Sequence, residues 1–191
     1  KGLMAKLPAG GYAPVSLEPD GWKAVVGDPE TRKAMKAKAL AKAQQEADAA
    51  MAKNWTATGG VLTGAADAGV IGSAKNYENF ELILEWKTEA EAGLGVRSIP
   101  QIALGGKNSG ALTGNRLHDN AAPKAAANGP QEWNTMQAKV VSDRVTVLLN
   151  GVTTAENVIL ENACNREIPA YAQGQLLLIA GKAPVSVREM Y

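Results

Sequence analysis

A chain of 191 residues is long enough to enclose one well-buried core and too short to make two domains the expectation. Its 46% apolar and 20% charged residues exclude wholesale disorder, and 20 Lys plus Arg against 19 Asp plus Glu leave a formal net charge of +1. So weak a field favours neither nucleic acid nor an anionic membrane, and no apolar run reaches the roughly 20 residues of a bilayer span.

Residues 1–8 read as the trimmed edge of an export signal, with too short an apolar run to be a whole one. Residues 10–27 are rich in Gly and Pro and carry the turn signal Pro19-Asp20-Gly21-Trp22. From about 29 to 53 there is no Gly, and Ala, Lys, Gln, Glu and Met, all good helix formers, dominate. Asp28 before Pro29 supplies an N-cap with proline at the first helical position, which predicts one inserted helix over about 29–53. Its apolar stripe, Met35 to Met51, is mostly alanine, too thin for membrane insertion, and its lysines read as a solvated face.

After Asn54 short β-type runs alternate with Gly, Asn and Pro. Strands are predicted at 55–58, 61–63, 70–73, 80–87, 95–97, 101–103, 133–141, 144–149, 157–160, 175–179 and 185–191. Their spacing suits an all-β antiparallel sandwich or jelly roll formed by residues 1–191 as one domain, with a hairpin turning at Ser142-Asp143. No second helical pattern appears, which disfavours a βαβ nucleotide-binding architecture. The irregular stretch 105–130 is long enough to read as functional or mobile.

Common catalytic signatures are missing: no phosphate-binding loop, no HExxH, no GxSxG. The single cysteine, Cys164, excludes an internal disulfide and reads as a buried thiol. The single histidine, His118, lies in the irregular stretch, where a solvated side chain competes with a functional one. The run Phe80 to Lys87 says more. Period-two geometry sends Phe80, Leu82, Leu84 and Trp86 to a core and leaves Glu81, Ile83, Glu85 and Lys87 on the opposite face. With Arg97 and Gln101 from the next two strands, Glu85 and Lys87 would offer carboxylate, cation and amide to sugar hydroxyls. The same residues would equally serve as cross-strand ion pairs on a wet sheet face.

Several runs resemble the 3-keto-disaccharide hydrolase family of concanavalin-like sandwiches. They are Asp20-Gly21-Trp22; Trp55, Gly60 and Leu62; Tyr77-Glu78-Asn79-Phe80-Glu81-Leu82 with Leu84-Glu85-Trp86-Lys87; Gly95-Val96-Arg97 and Pro100-Gln101-Ile102; Glu132-Trp133-Asn134; Arg144 to Gly151; and Val187-Arg188-Glu189-Met190. The resemblance covers nearly the whole chain and implies cleavage of 3-keto-glycosides, in which a ring ketone acidifies the C2 proton, elimination expels the glycosidic substituent and water adds back. Such chemistry needs a base and stabilisation of an enolate. The resemblance nominates Glu85 as base, Arg97 as charge stabiliser and Gln101 as orienter; Lys87 from the same sheet face, His118 from the irregular stretch, and Trp133 and Asn134 from the matched run are the further candidate substrate contacts. It implies a carbohydrate ligand and a periplasmic or secreted location, and leaves the cofactor open, a divalent metal included, and the oligomeric state unassigned.

Two departures are equally legible. The family's Asp soon after "Q-I" is absent from Gln101-Ile102-Ala103-Leu104-Gly105, and its "L-Q-x-H-G" corresponds to Leu177-Leu178-Ile179-Ala180-Gly181, with Gln and His both replaced by apolar residues. Hydrolysis of 3-keto-glycosides stays the first expectation, and the alternative is a sugar-binding module without turnover, which the loss of those groups would explain. Trp133 reads as turn packing before it reads as a sugar platform, and Arg188 as a paired structural residue. A partner-docking subunit would instead present an exposed apolar stripe on the helix.

Overall fold

A computed structural model describes residues 11–117 and 126–191. In chain order its strands are β1 (Trp22–Ala24), β2 (Trp55–Thr58), β3 (Val61–Gly64), β4 (Val70–Tyr77), β5 (Phe80–Thr88), β6 (Ala92–Val96), β7 (Ile99–Leu104), β8 (Asn134–Val141), β9 (Arg144–Leu149), β10 (Val152–Ile159), β11 (Gly174–Ile179) and β12 (Val185–Arg188). They form a five-stranded sheet, β1-β4-β11-β6-β7, and a seven-stranded sheet, β10-β9-β8-β5-β12-β3-β2. Neighbouring strands pair antiparallel throughout. The chain is therefore the antiparallel sandwich that the alternation of its short runs predicts.

The core lies between the sheets. Leu82, Leu84 and Trp86 of β5, with Met136, Ala138 and Val140 of β8, meet Leu94 and Val96 of β6 and Leu176 and Leu178 of β11. Full burial of each large apolar side chain contributes about 1.5–3 kcal/mol. Turn chemistry sets the register at two hairpins. Asn150 and Gly151 both take positive φ between β9 and β10, and Arg97 and Ser98 do so between β6 and β7.

The helical insertion differs from its prediction. It is two helices, α1 (Pro29–Ala34) and α2 (Ala37–Asn54), separated where Met35 and Lys36 adopt extended backbone. Asp28 caps α1 as expected, its Oδ1 accepting from Glu30 N and Thr31 N at 2.9 Å each. No residue of α2 is fully buried, and the Gln44 side-chain amide donates to the Ala24 carbonyl at 3.0 Å, tying the helix to β1.

Several strand boundaries differ as well, β4 running on to Tyr77 and β6 starting at Ala92 among them. Trp22–Ala24 is a strand that three residues behind a Pro-Asp-Gly turn do not announce. β10 begins at Val152 rather than 157, its alternation broken by two register shifts and by Asn157 at φ 50. β12 ends at Arg188 because Glu189 turns to φ 50, after which Tyr191 exchanges both backbone hydrogen bonds with Ile83.

Candidate functional site

The outward face of the seven-stranded sheet gathers part of the predicted set. Antiparallel register places Glu85 opposite both Thr135 of β8 and Arg188 of β12, and Lys87 opposite Ser186. Trp133 immediately precedes β8. The Arg188 Nε donates to Glu85 Oε2 at 2.6 Å, and its guanidinium carbon lies 4.0 Å from the Trp133 ring centroid. Lys87 Nζ stands 5.1 Å from the same ring. An aromatic ring thus carries two cations, one of them fixed by a carboxylate. The Glu85 side chain is 12% exposed and that of Arg188 is 38% exposed, so the pair sits at the sheet surface rather than within the core.

Hydroxyls and amides extend this patch. The Ser186 and Thr63 hydroxyls share a 3.0 Å hydrogen bond, and Gln137 donates to the Glu81 carboxylate, which also accepts from the Tyr12 hydroxyl at 2.7 Å. That contact raises the Tyr12 pKa, the hydrogen bond to Glu81 contributing most. Beside the patch, Lys87, Thr88, Glu89, Gln131, Pro184 and Ser186 line a groove of about 220 Å³. The sequence reading passes over Thr135, Gln137 and Ser186, although period-two alternation along β8 and β12 would have placed them outward.

Other predicted residues do not join this patch. Arg97 is 2% exposed and belongs to the β6–β7 turn. Its Nε donates to the Glu78 carbonyl at 2.8 Å, one Nη to the carbonyls of Ser142 and Tyr171, and the other to Asn79 Oδ1 at 3.4 Å. It ties three loops together, and burial lowers its pKa. Asn134, 2% exposed, points inward and is consumed by Asn128 N, Asn150 Nδ2 and the Glu132 carbonyl. Gln101 lies in β7, at an edge of the five-stranded sheet. His118 lies outside the described residues. Cys164 is half-buried rather than fully so, and burial raises its thiol pKa.

The five-stranded sheet shows what became of the missing polar groups. Ala180 and Gly181 line a cavity of about 460 Å³ with Gly93, Ile102 and Ile179, flanked by an exposed Lys182–Asp67 ion pair at 2.9 Å. Leu178, which stands at the family's Gln position, is fully buried in the core between the sheets. Apolar packing therefore occupies the β11 positions beside this cavity. Among the described residues no group of three or more His, Cys, Asp and Glu side chains could hold a metal ion.

The profile of the family described as the 3-keto-alpha-glucoside-1,2-lyase-like domain matches residues 17–191. No curated protein matches the sequence. Among solved structures, a candidate glycosyl hydrolase of Parabacteroides distasonis superposes with a TM-score of 0.60 at 18% identity, over 91% of this chain and 88% of its own. A second from the same organism gives 0.56 at 22% identity, over 72% and 88%. A carbohydrate-binding module of Bacillus subtilis, CBM66, gives 0.50 at 14% identity, over 72% and 89%. At such identities these likenesses speak for the sandwich alone.

Proposed function

The chain belongs to the 3-keto-alpha-glucoside-1,2-lyase-like domain family, and on that premise we propose that it is a carbohydrate-binding member which holds a saccharide without cleaving it. One observation carries this reading: the residue nominated as base, Glu85, is spent on Arg188, whose guanidinium it holds over Trp133 beside Lys87. A general base for C2 deprotonation must have a carboxylate oxygen free to reach the substrate proton, and Glu85 Oε2 is engaged by Arg188 Nε at 2.6 Å. The nominated charge stabiliser, Arg97, is occupied by loop carbonyls and does not join Glu85. What the face offers is a fixed array of donors and acceptors beside an aromatic ring, which suits hydroxyl recognition. The family's acid and histidine positions being apolar agrees with retention of binding and loss of elimination.

Two measurements test it together. Calorimetric titration with a panel of disaccharides and their 3-keto derivatives should give saturable binding. Trp133→Ala should weaken that binding at least about tenfold, the loss typical of truncating an aromatic anchor. Glu85→Gln should weaken it too, by freeing Arg188. An assay of aglycone release from 3-keto-glucosides should show no turnover, with or without divalent metal. Turnover abolished by Glu85→Gln would overturn the binding reading and restore Glu85 as the base.

A further inference from the structure

The two cations on the Trp133 ring are unequally compensated. Arg188 meets a carboxylate only through Nε, and among the described residues its two Nη groups have no acceptor. Lys87 Nζ has neither an acceptor nor an ion-pair partner among them, its one contact as a charge being the Trp133 ring at 5.1 Å. Lys87 stands opposite Ser186 and Arg188 opposite Glu85, so the cations lie diagonally on adjacent antiparallel strands of one outward face. Long side chains reach one another at such diagonal positions. Both converge on one half-buried ring; Glu85 neutralises one charge and the other is left over.

We propose that Lys87 and Arg188 form the seat of an acidic group, so that the saccharide taken by this face carries a carboxylate or a sulfate ester. That the ligand is a saccharide rests on the carbohydrate reading above; the anion seat rests on the cations themselves. A neutral ring would strip water from Lys87 and from the Arg188 Nη groups and return only hydroxyl oxygens. An acidic oxygen makes charge-assisted bonds, roughly twice as strong, and the two Nη groups of one guanidinium grip two oxygens of one acid side by side. The Trp133 ring, 4.0 Å from the guanidinium carbon, already holds that fork, so little of its freedom remains to be lost on binding. A formal net charge of +1 gives the whole chain too weak a field to draw a polyanion. One acidic group on one ring is what the seat can neutralise.

The groove beside the seat sets which way the ring lies. Lys87 and Ser186 belong to both, and Glu89 and Gln131 line the groove's other part. Glu89 is exposed and accepts from the Gln131 side-chain amide. Its carboxylate repels an acidic group and accepts from hydroxyls. The acid therefore lies toward Arg188 and the hydroxylated edge toward Glu89. A groove of about 220 Å³ falls below the roughly 300–1,000 Å³ of pockets for drug-sized ligands, which suits a single ring.

Calorimetric titration with the disaccharides of the panel above, each in three forms that differ at one exocyclic carbon, tests the seat. The forms are the neutral hydroxymethyl sugar, the sugar oxidised there to a carboxylate, and its sulfate ester. At low salt an acidic form should bind at least about tenfold tighter than its neutral parent, the gain of exchanging neutral for charge-assisted bonds. That advantage should shrink as salt is raised, which checks the seat without any substitution. Lys87→Met, which keeps an unbranched stem on Trp133 and removes the charge, should weaken the acidic form more than the neutral one. Lys139→Met removes an exposed lysine opposite Glu81 on the same sheet and should leave the advantage intact. Neutral and acidic forms that bind equally overturn the seat and leave the carbohydrate reading standing. An advantage that survives in a folded Lys87→Met protein, or that Lys139→Met removes as fully, also overturns the seat. Binding by no form of any sugar overturns the carbohydrate reading and the seat with it.

Discussion

Arg97 illustrates how one residue type can serve two roles that sequence alone does not separate. A guanidinium in a family motif invites a catalytic assignment, yet here it is closed over by the carbonyls of Glu78, Ser142 and Tyr171 and the Asn79 amide oxygen. Its five donors in a rigid fork fit that arrangement, and a lysine ammonium would not reach the same acceptors. Arg97→Met would remove the hydrogen bonds to the Glu78, Ser142 and Tyr171 carbonyls at once, each worth about 0.5–1.5 kcal/mol net. The expected result is a loss on the order of 3 kcal/mol in urea unfolding, with Arg97→Lys recovering only part of it. An Arg97→Met protein as stable as the native one would return the residue to the list of ligand groups. Nothing in the sequence around Gly95-Val96-Arg97 separates these roles, because the partners come from segments up to 74 positions away. Glu85 is different. Its outward direction follows from the alternation of β5 alone, and only its partner, Arg188, required the strand order.

At the scale of elements, local chemistry predicted best where it acts through neighbours in the chain. Asp28-Pro29 names the start of α1, and the structure places both Asp28 oxygens on the first turn, Oδ2 accepting from the Thr31 hydroxyl at 2.7 Å. Those bonds, the ones from Thr31 foremost, hold the Asp28 pKa below the ordinary aspartate value. A carboxyl depressed in the folded state contributes stability above its unfolded pKa and loses it as pH falls through the folded one. The cap should therefore hold at neutral pH and weaken only as the pH falls below the ordinary aspartate range. Asp28→Ala should cost about 1 kcal/mol at pH 7 and less at pH 2. Equal costs at both pH values would show that the cap does not act through its charge. The extended break at Met35 and Lys36 was not legible, since both residues and their neighbours are helix formers. β1 was equally hidden: its three residues become a strand only because β4 lies alongside to pair with them.

For the whole molecule, the decisive quantity is how unevenly burial is distributed. β5 and β8 supply the middle of the seven-stranded sheet and much of the core, whereas α2 has no buried residue and is fixed to β1 by one side-chain bond and a thin stripe of small side chains. That stripe faces the sheet in part: Leu40, Ala43, Ala47 and Met51 are half-buried, which removes the exposed apolar band that a docking role for the helix would need. Because one continuous core joins the two sheets, unfolding them should be a single event, with calorimetric and van 't Hoff enthalpies equal. Local opening of α2 needs no core exposure and should cost far less. Amide exchange followed residue by residue should therefore show β5, β8 and β12 as the slowest class, opening only with global unfolding. The amides of α2 should exchange at least about a hundredfold faster, a difference of roughly 2.7 kcal/mol in opening free energy at 1.4 kcal/mol per tenfold. Two calorimetric transitions would divide the sandwich into separately folding parts. Protection of α2 equal to that of β5 would mean that the helix is part of the cooperative core, and that its half-buried stripe contributes as much to folding as the strands beneath it.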